Sequence, residues 1–483
     1  MFESADLDHS VPKATYKREE PKLREALLDA QYELRKDGSF AAVILIAGVQ
    51  GAGRGETVNL LNEWMDPRYV ATYAFGDPSQ EEQERPEQWR YWRVLPPKGR
   101  IGVLFGAWHT GPILRRVQGE SSDDQFAHET AEIARFEKML ADEDVLLLKY
   151  WFHVSKKQQK KRLERAHEKL EAPYKRFVQV SEAFLRRTST GEAPWIIVPG
   201  GERRYRALTF GNHLLAALRE RLRAAPKKPV PGNARPLPKP VDALNVLRAL
   251  QLDQPMSKAS YKKQLEKAQE KLNALSRDSK FRSIAVVAVF EGNDAAGKGG
   301  AIRRVTSSLD ARLYRNVPVA APTEEEAARP YLWRFWRHIP GRGRLTVFDR
   351  SWYGRVLVER VEGFSTEAEW MRAYVEINDF EQSLMRHGIV VVKYWLAISK
   401  EEQLRRFRER QKTPFKRFKI TPEDWRNRKK WGAYESAVCD MVDRTSTRIA
   451  PWTLVEANNK YYARIKVLDT LCEAIEDAFA GAK

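Results

Sequence analysis

Residues 284–300 read IAVVAVFEGNDAAGKGG, and their order decides the fold. The first seven, Ile284 to Phe290, are all apolar. A short apolar run rich in β-branched residues predicts a strand buried on both faces, as in a parallel sheet covered by helices. Glycines follow at 292, 297, 299 and 300, and a helix is expected from about Lys298. In the pattern Gly292-(four residues)-Gly297-Lys298, glycines let backbone N–H groups turn inward around a phosphate. The helix start adds positive potential, and the lysine supplies a mobile charge. The alternative is a glycine-rich turn with a surface lysine, and the strand before and helix after argue against it. Phosphate contacts are expected from Gly292, Asn293, Ala295, Ala296, Gly297 and Gly299, with Lys298 on the phosphoryl oxygens.

The loop departs from the usual pattern at Gly299, where a Ser or Thr hydroxyl normally meets Mg²⁺. Another ligand is then needed, and Asp294 is the candidate, because a carboxylate inside a phosphate loop otherwise repels the ligand. Its other reading is a turn-forming or capping aspartate. A second apolar strand, Leu345 to Phe348, ends in Asp349-Arg350. An aspartate at a strand's carboxyl end lies where parallel sheets bind ligands, so Asp349 is the second expected metal ligand. Arg350 is placed to meet a phosphate bidentately. Further strands are expected at Ile389 to Ile398 and Thr453 to Val455, with helices between them, one over 260–275. Residues 401–430 hold twelve Lys/Arg and five acids. Such a run is often a solvated face, but beside a phosphate loop it reads as a lid, with Arg408 and Arg410 as its phosphate-facing members.

The chain also repeats itself. Lys393-Tyr394-Trp395 recurs as Lys149-Tyr150-Trp151, an offset of 393 − 149 = 244, and Gly292, Gly297, Trp333 and Trp336 recur at Gly48, Gly53, Trp89 and Trp92. Thr445-Ser446-Thr447 recurs as Thr188-Ser189-Thr190 at offset 257, so the second copy is 13 residues longer across the lid. A whole domain is duplicated. Residues 226–240, PKKPVPGNARPLPKP, predict an extended linker. The expected division is a first domain over 1–225 and a second over 241–483. The retained tryptophans, with Phe335, are expected to pack in the core rather than to stack on bases.

Composition fits a soluble protein. The net charge of +19 draws in polyanions without choosing among them. Two cysteines exclude a disulfide scaffold and suit a reducing cytosol, and the eight histidines show no metal-ligand spacing. No apolar run approaches the roughly 18–20 residues of a membrane span, and the N-terminus lacks a secretory h-region. A cytoplasmic protein is expected.

The segments FEGNDAAGKGG (290–300), APTEE (321–325), YLWR (331–334), FDRSWYG (348–354) and TSTRIAPW (445–452), with the basic lid, resemble the polyphosphate kinase 2 family over nearly all of the second domain. The resemblance implies an α/β fold. It would hold two tandem P-loop kinase-like domains, each a mostly parallel sheet flanked by helices with a helical lid. It also implies phosphoryl transfer between inorganic polyphosphate and nucleotides with Mg²⁺, or Mn²⁺ in its place, through Asp294, Lys298, Asp349 and Arg350. The tandem form of the family is associated with AMP as acceptor and ADP as product. The rivals are ADP as acceptor, an ATP-dependent nucleoside monophosphate kinase, and a polyphosphate-binding protein without turnover. Neither nucleic acid nor membrane is an expected partner, and the sequence leaves homo-oligomerisation open.

At offset 244 the first copy replaces Asp294 by Gln50, Lys298 by Arg54, Asp349 by Phe105 and Arg350 by Gly106. Both expected metal ligands are gone, so the first domain is expected to be non-catalytic. Whether it binds a phosphate chain or only packs against its neighbour is left open.

Overall fold

Ten strands form two five-stranded sheets, and every pairing in them is parallel. The structure, a computed structural model, describes residues 1–224, 246–414 and 417–481. The predicted linker lies outside the described residues. The strands of the first sheet are β1 (Ala41–Gly48), β2 (Val70–Ala74), β3 (Ile101–Phe105), β4 (Val145–His153) and β5 (Trp195–Pro199), in the order β2-β3-β1-β4-β5. Those of the second are β6 (Ala285–Gly292), β7 (Tyr314–Pro318), β8 (Leu345–Asp349), β9 (Ile389–Ala397) and β10 (Trp452–Glu456), in the order β10-β9-β6-β8-β7. The two orders are the same, and helices separate the strands, so the duplicated α/β architecture is as expected.

The chain divides into two compact units. The first takes in Met1–Ser79, the chain from Glu87 through the helix Arg203–Arg223, and Pro322–Trp333; the second takes in Gln80–Pro86 and the remainder of the described residues.

β6 is the expected apolar run, and its residues from Val286 to Phe290 are fully buried. It continues past the run through Glu291 to Gly292. The helix Lys258–Arg277 covers the predicted 260–275. The edge strands β2 and β7 were not expected from the sequence. An edge strand pairs on one side only, so YRNVP, exposed at most of its positions, needs no apolar pattern to join the sheet. Trp336 packs on Phe380 and Trp92 on Phe136, with ring centroids 4.9 and 5.6 Å apart. The repeated tryptophans are therefore core residues, as expected.

The repeated Lys-Tyr-Trp has a physical cause. Lys393 Nζ, on β9, is fully buried and donates to Glu381 Oε2 at 2.7 Å, to the Tyr353 hydroxyl at 2.9 Å and to the Thr445 carbonyl at 2.7 Å. Glu381 lies on the helix Glu367–Arg386 that precedes β9. Its Oε1 accepts from Trp352 Nε1 at 3.0 Å and from Tyr353 at 2.6 Å. Lys149 and Glu137 repeat the pair in the first unit at 2.6 Å, again with Thr188 carbonyl and Trp108 as partners. Burial pushes both glutamates up and both lysines down, and within each pair the partner's charge opposes that shift.

Removing one partner leaves the other charge buried and unpaired, which costs about 3–5 kcal/mol. Lys393→Met is expected to lower the unfolding free energy of the second unit by that amount in urea denaturation. A loss below about 1 kcal/mol, the scale of an exposed pair, would contradict the account.

Candidate active site

β6 ends between β8 and β9, so the loop 292–298 leaves the middle of the sheet at its carboxyl edge, where the strand order reverses. Gly292 has φ +150°, and a Cβ on it would stand 2.5 Å from the Leu396 carbonyl oxygen. Only glycine lets the loop pass β9 this closely. Gly297 caps the helix Lys298–Thr306 with no side-chain bond, leaving the N–H groups of Lys298 and Gly299 open to an anion. Lys298 Nζ donates to the Gly292 carbonyl at 2.7 Å, lying back across the loop. The Asn293 side chain is not directed at a phosphate: its Oδ1 accepts from Ile398 N–H at 3.1 Å and ties the loop to the end of β9. A Cβ on Gly299 would meet nothing within 4 Å, so a Ser or Thr is missing there for chemical and not steric reasons.

Asp294 Oδ1 faces Arg350 at 3.5 Å, and its Oδ2 accepts from Asn427 Nδ2 at 2.9 Å. Asp349 is the last residue of β8 and stands in register with Phe290. Its carboxylate makes no hydrogen bond or ion pair among the described residues. No group of three or more metal-ligating side chains converges among the described residues. Two carboxylates beside a phosphate loop are nonetheless the donor set that Mg²⁺ uses when substrate phosphates and water complete its shell. Arg350, 52% exposed at its side chain, is able to turn from Asp294 to a phosphoryl oxygen.

Sequence reading missed Glu291. It is 5% exposed at the end of β6, where it accepts from the Ser351 hydroxyl at 2.9 Å. Burial pushes its carboxyl up to about 7, against the opposing pull of Lys298, Ser351 and Arg350. A lone acid at the end of an apolar strand was the available signal.

The basic run forms the helices Lys400–Lys412 and Pro422–Lys429, the latter carrying Asn427. Arg406, not picked from the sequence, clamps the loop: it donates to the carbonyls of Ala295 (3.0 Å), Ala296 (2.9 Å), Ala457 (2.6 Å) and Asn458 (2.9 Å). Gln403 Nε2 adds a bond to the Asp294 carbonyl at 3.2 Å. Arg410 reaches the Lys419 carbonyl at 3.4 Å. Arg408 is exposed and lines a groove on the helix's outer face with Arg405, Lys412 and Arg428, so it is not brought to the loop.

A family model described as polyphosphate kinase 2 matches residues 10–226 and 255–482. The chain belongs to the polyphosphate kinase 2 family. It is 55% identical to a polyphosphate:AMP phosphotransferase of Pseudomonas aeruginosa over the whole of both chains, and 40% identical to one of Acinetobacter johnsonii over 95% of this chain and 96% of the other. A crystal structure described as a polyphosphate kinase 2 from Pseudomonas aeruginosa matches with a TM-score of 0.91 and 56% identity over 100% of both chains.

The clamp is present in both family domains, whereas the two carboxylates are present only in the second. Arg162 donates to the carbonyls of Gly51 (2.6 Å), Gly200 (2.9 Å) and Gly201 (2.5 Å), and Gln159 to that of Gln50 (3.3 Å), each in the manner of its counterpart at offset 244. Arg350 and Ala295 are held at φ +66° and +64°, in the left-handed region that costs a non-glycine residue roughly 1–2 kcal/mol. The first copy has glycine at both positions, Gly106 at +73° and Gly51 at +79°. The strain borne at Arg350 and Ala295 is thus absent from the first copy. Arg350→Gly is therefore expected to abolish transfer without lowering the melting temperature; a fall of several degrees would show that Arg350 is structural.

Glu291 gives a pH test. Its folded-state pKa, about 7, lies above the ordinary 4.5. As pH rises from 5 to 8 the unfolded chain ionises this group first, and stability falls. Glu291→Gln removes that loss, so in EDTA its stability advantage is expected to grow across this range, to at most about 3 kcal/mol. An advantage independent of pH would contradict the buried, proton-holding carboxyl.

Proposed function

We propose that this chain transfers the terminal phosphoryl group of inorganic polyphosphate to AMP, giving ADP, with Mg²⁺ at the phosphate loop of its second half. The observation that carries the reading is that the second copy alone has Lys298 with two carboxylates, Asp294 in its loop and Asp349 at the end of β8, in a chain whose full-length relatives are named polyphosphate:AMP phosphotransferases. The first half is proposed to be non-catalytic, since Gln50 and Phe105 stand where those carboxylates would be.

In the proposed reaction the donor's terminal phosphate lies against the N–H groups of the loop and of the first turn after Gly297. Lys298 leaves the Gly292 carbonyl for a phosphoryl oxygen. Asp294 and Asp349 would hold Mg²⁺, which supplies neutralisation of the phosphate charge. Arg350 offsets charge that develops on the group in transfer. The phosphate of AMP is already ionised at neutral pH, so no strong general base is needed. Asn427 joins the lid to Asp294, so lid closure and the arrangement of the carboxylate are coupled. Gly299 in place of Ser or Thr argues against an ATP-dependent monophosphate kinase.

The test follows nucleotides by chromatography in Mg²⁺, with polyphosphate or ATP as donor and AMP or ADP as acceptor. ADP formed from polyphosphate and AMP, and reduced at least a hundredfold in Asp349→Asn, is the expected result. Transfer from ATP alone would overturn the donor, and equal activity in Asp349→Asn would overturn the site.

A further inference from the structure

The first unit keeps a cavity at the position of the lost active site. Its volume is about 70 Å³, and Gly48, Arg54, His109 and Thr110 line it with Trp151, Tyr174 and Glu171 among its walls. Three replacements shape it. Arg54, in the place of Lys298, is partly buried and makes no hydrogen bond or ion pair among the described residues; its guanidinium lies 5.4 Å from the ring of Phe105, which stands in for Asp349. His109 replaces Tyr353 at offset 244. The tyrosine hydroxyl binds Glu381, whereas His109, 4% exposed, leaves its Nδ1 without a hydrogen-bond partner. Gln50, in the place of Asp294, turns away to the short lid: its Nε2 donates to the Lys169 carbonyl at 3.1 Å, and its Oε1 accepts from Glu171 N–H at 3.1 Å. The shortened lid is thereby strapped to the loop.

In the second unit two carboxylates offset Lys298 and Arg350, so an anion there needs a metal. In the first unit no carboxylate stands in the loop, although Glu171 and Glu168 act on Arg54 from outside it, and the helix Arg54–Trp64 begins at Gly53 with no side-chain cap. The partly buried Arg54 guanidinium and the His109 imidazole line one small space at the start of that helix. We propose that this cavity is a metal-independent site for a single phosphate group, that of orthophosphate or of a phosphomonoester, held by Arg54 and the His109 ring. Burial, with Arg54 and Lys149 nearby, lowers the His109 pKa to about 3, so the ring stays neutral and is able to accept from a P–OH. Glu171 suits the same protonated phosphate and disfavours a chain of charges. At about 70 Å³ the cavity has room for one tetrahedral oxyanion.

The proposal does not rest on the transfer reaction, and its test involves no turnover. Full-length protein in EDTA is dialysed against radiolabelled orthophosphate. We expect one phosphate per chain, retained in Lys298→Gln, weakened at least tenfold in Arg54→Gln, and restored to within tenfold of wild type in Arg54→Lys. Displacement by AMP assigns the site to phosphomonoesters as well, and failure of AMP to displace assigns it to orthophosphate. Should Arg54→Gln not fold, as judged by circular dichroism, His109→Phe takes its place, with a severalfold weakening expected. No binding in EDTA, binding lost only in Lys298→Gln, binding unchanged in Arg54→Gln or His109→Phe, or displacement by long-chain polyphosphate as effective per chain as by orthophosphate would each overturn it.

Discussion

A lysine and a glutamate shut away from water set the frame on which the site stands. Each ion alone costs several kcal/mol to bury, and the pair is tolerable only because its hydrogen-bonding groups are satisfied. Lys393 meets three acceptors and Glu381 three donors. Those partners come from β9, from the helix before it, from the segment after Asp349 and from the helix that returns from the lid. Four parts of the chain that approach the carboxyl edge of the sheet are thus bound at one point. The first unit has the same pair although it lacks the carboxylates, which marks the pair as part of the fold and not of the chemistry.

Once that frame is duplicated, the two copies are free to differ at the edge it supports. The arginine clamp on the loop and the glutamine bond beneath it occur in both. What differs is the set of side chains around the loop. Two residues held in the left-handed region become glycine, two carboxylates become an amide and a phenyl ring, and a tyrosine that completes the buried pair becomes a histidine with a vacant nitrogen. In the first copy Arg54 lines a small cavity and makes no hydrogen bond or ion pair among the described residues.

The features legible in the sequence were those encoded over a few neighbouring residues. Ile284 to Lys298 announced a buried strand, a glycine loop and a helix, and the place of Asp349 at a strand end followed from the next apolar run. The repeat fixed the duplicated architecture. Edge strands were not legible, because pairing on one side asks little of the side chains. Glu291 reads as one more strand position until its burial is known. Arg406 was hidden among neighbouring arginines, because only the phase of the helix separates a residue that faces the loop from Arg408, half a turn on, which faces solvent. Its recurrence as Arg162, with Gln403 as Gln159, was the available signal. Asn427 lies 133 residues from Asp294 and shares no local pattern with it.

The central claim is that all metal-assisted chemistry belongs to the second loop. The most direct test counts metal by electron paramagnetic resonance, titrating Mn²⁺ into the full-length protein with polyphosphate present and subtracting a polyphosphate-only control. The account predicts that protein-dependent Mn²⁺ binding disappears in the Asp294→Asn/Asp349→Asn double variant and is unchanged in Gln50→Ala. Protein-dependent binding that survives the double variant, or falls with Gln50→Ala, would contradict it.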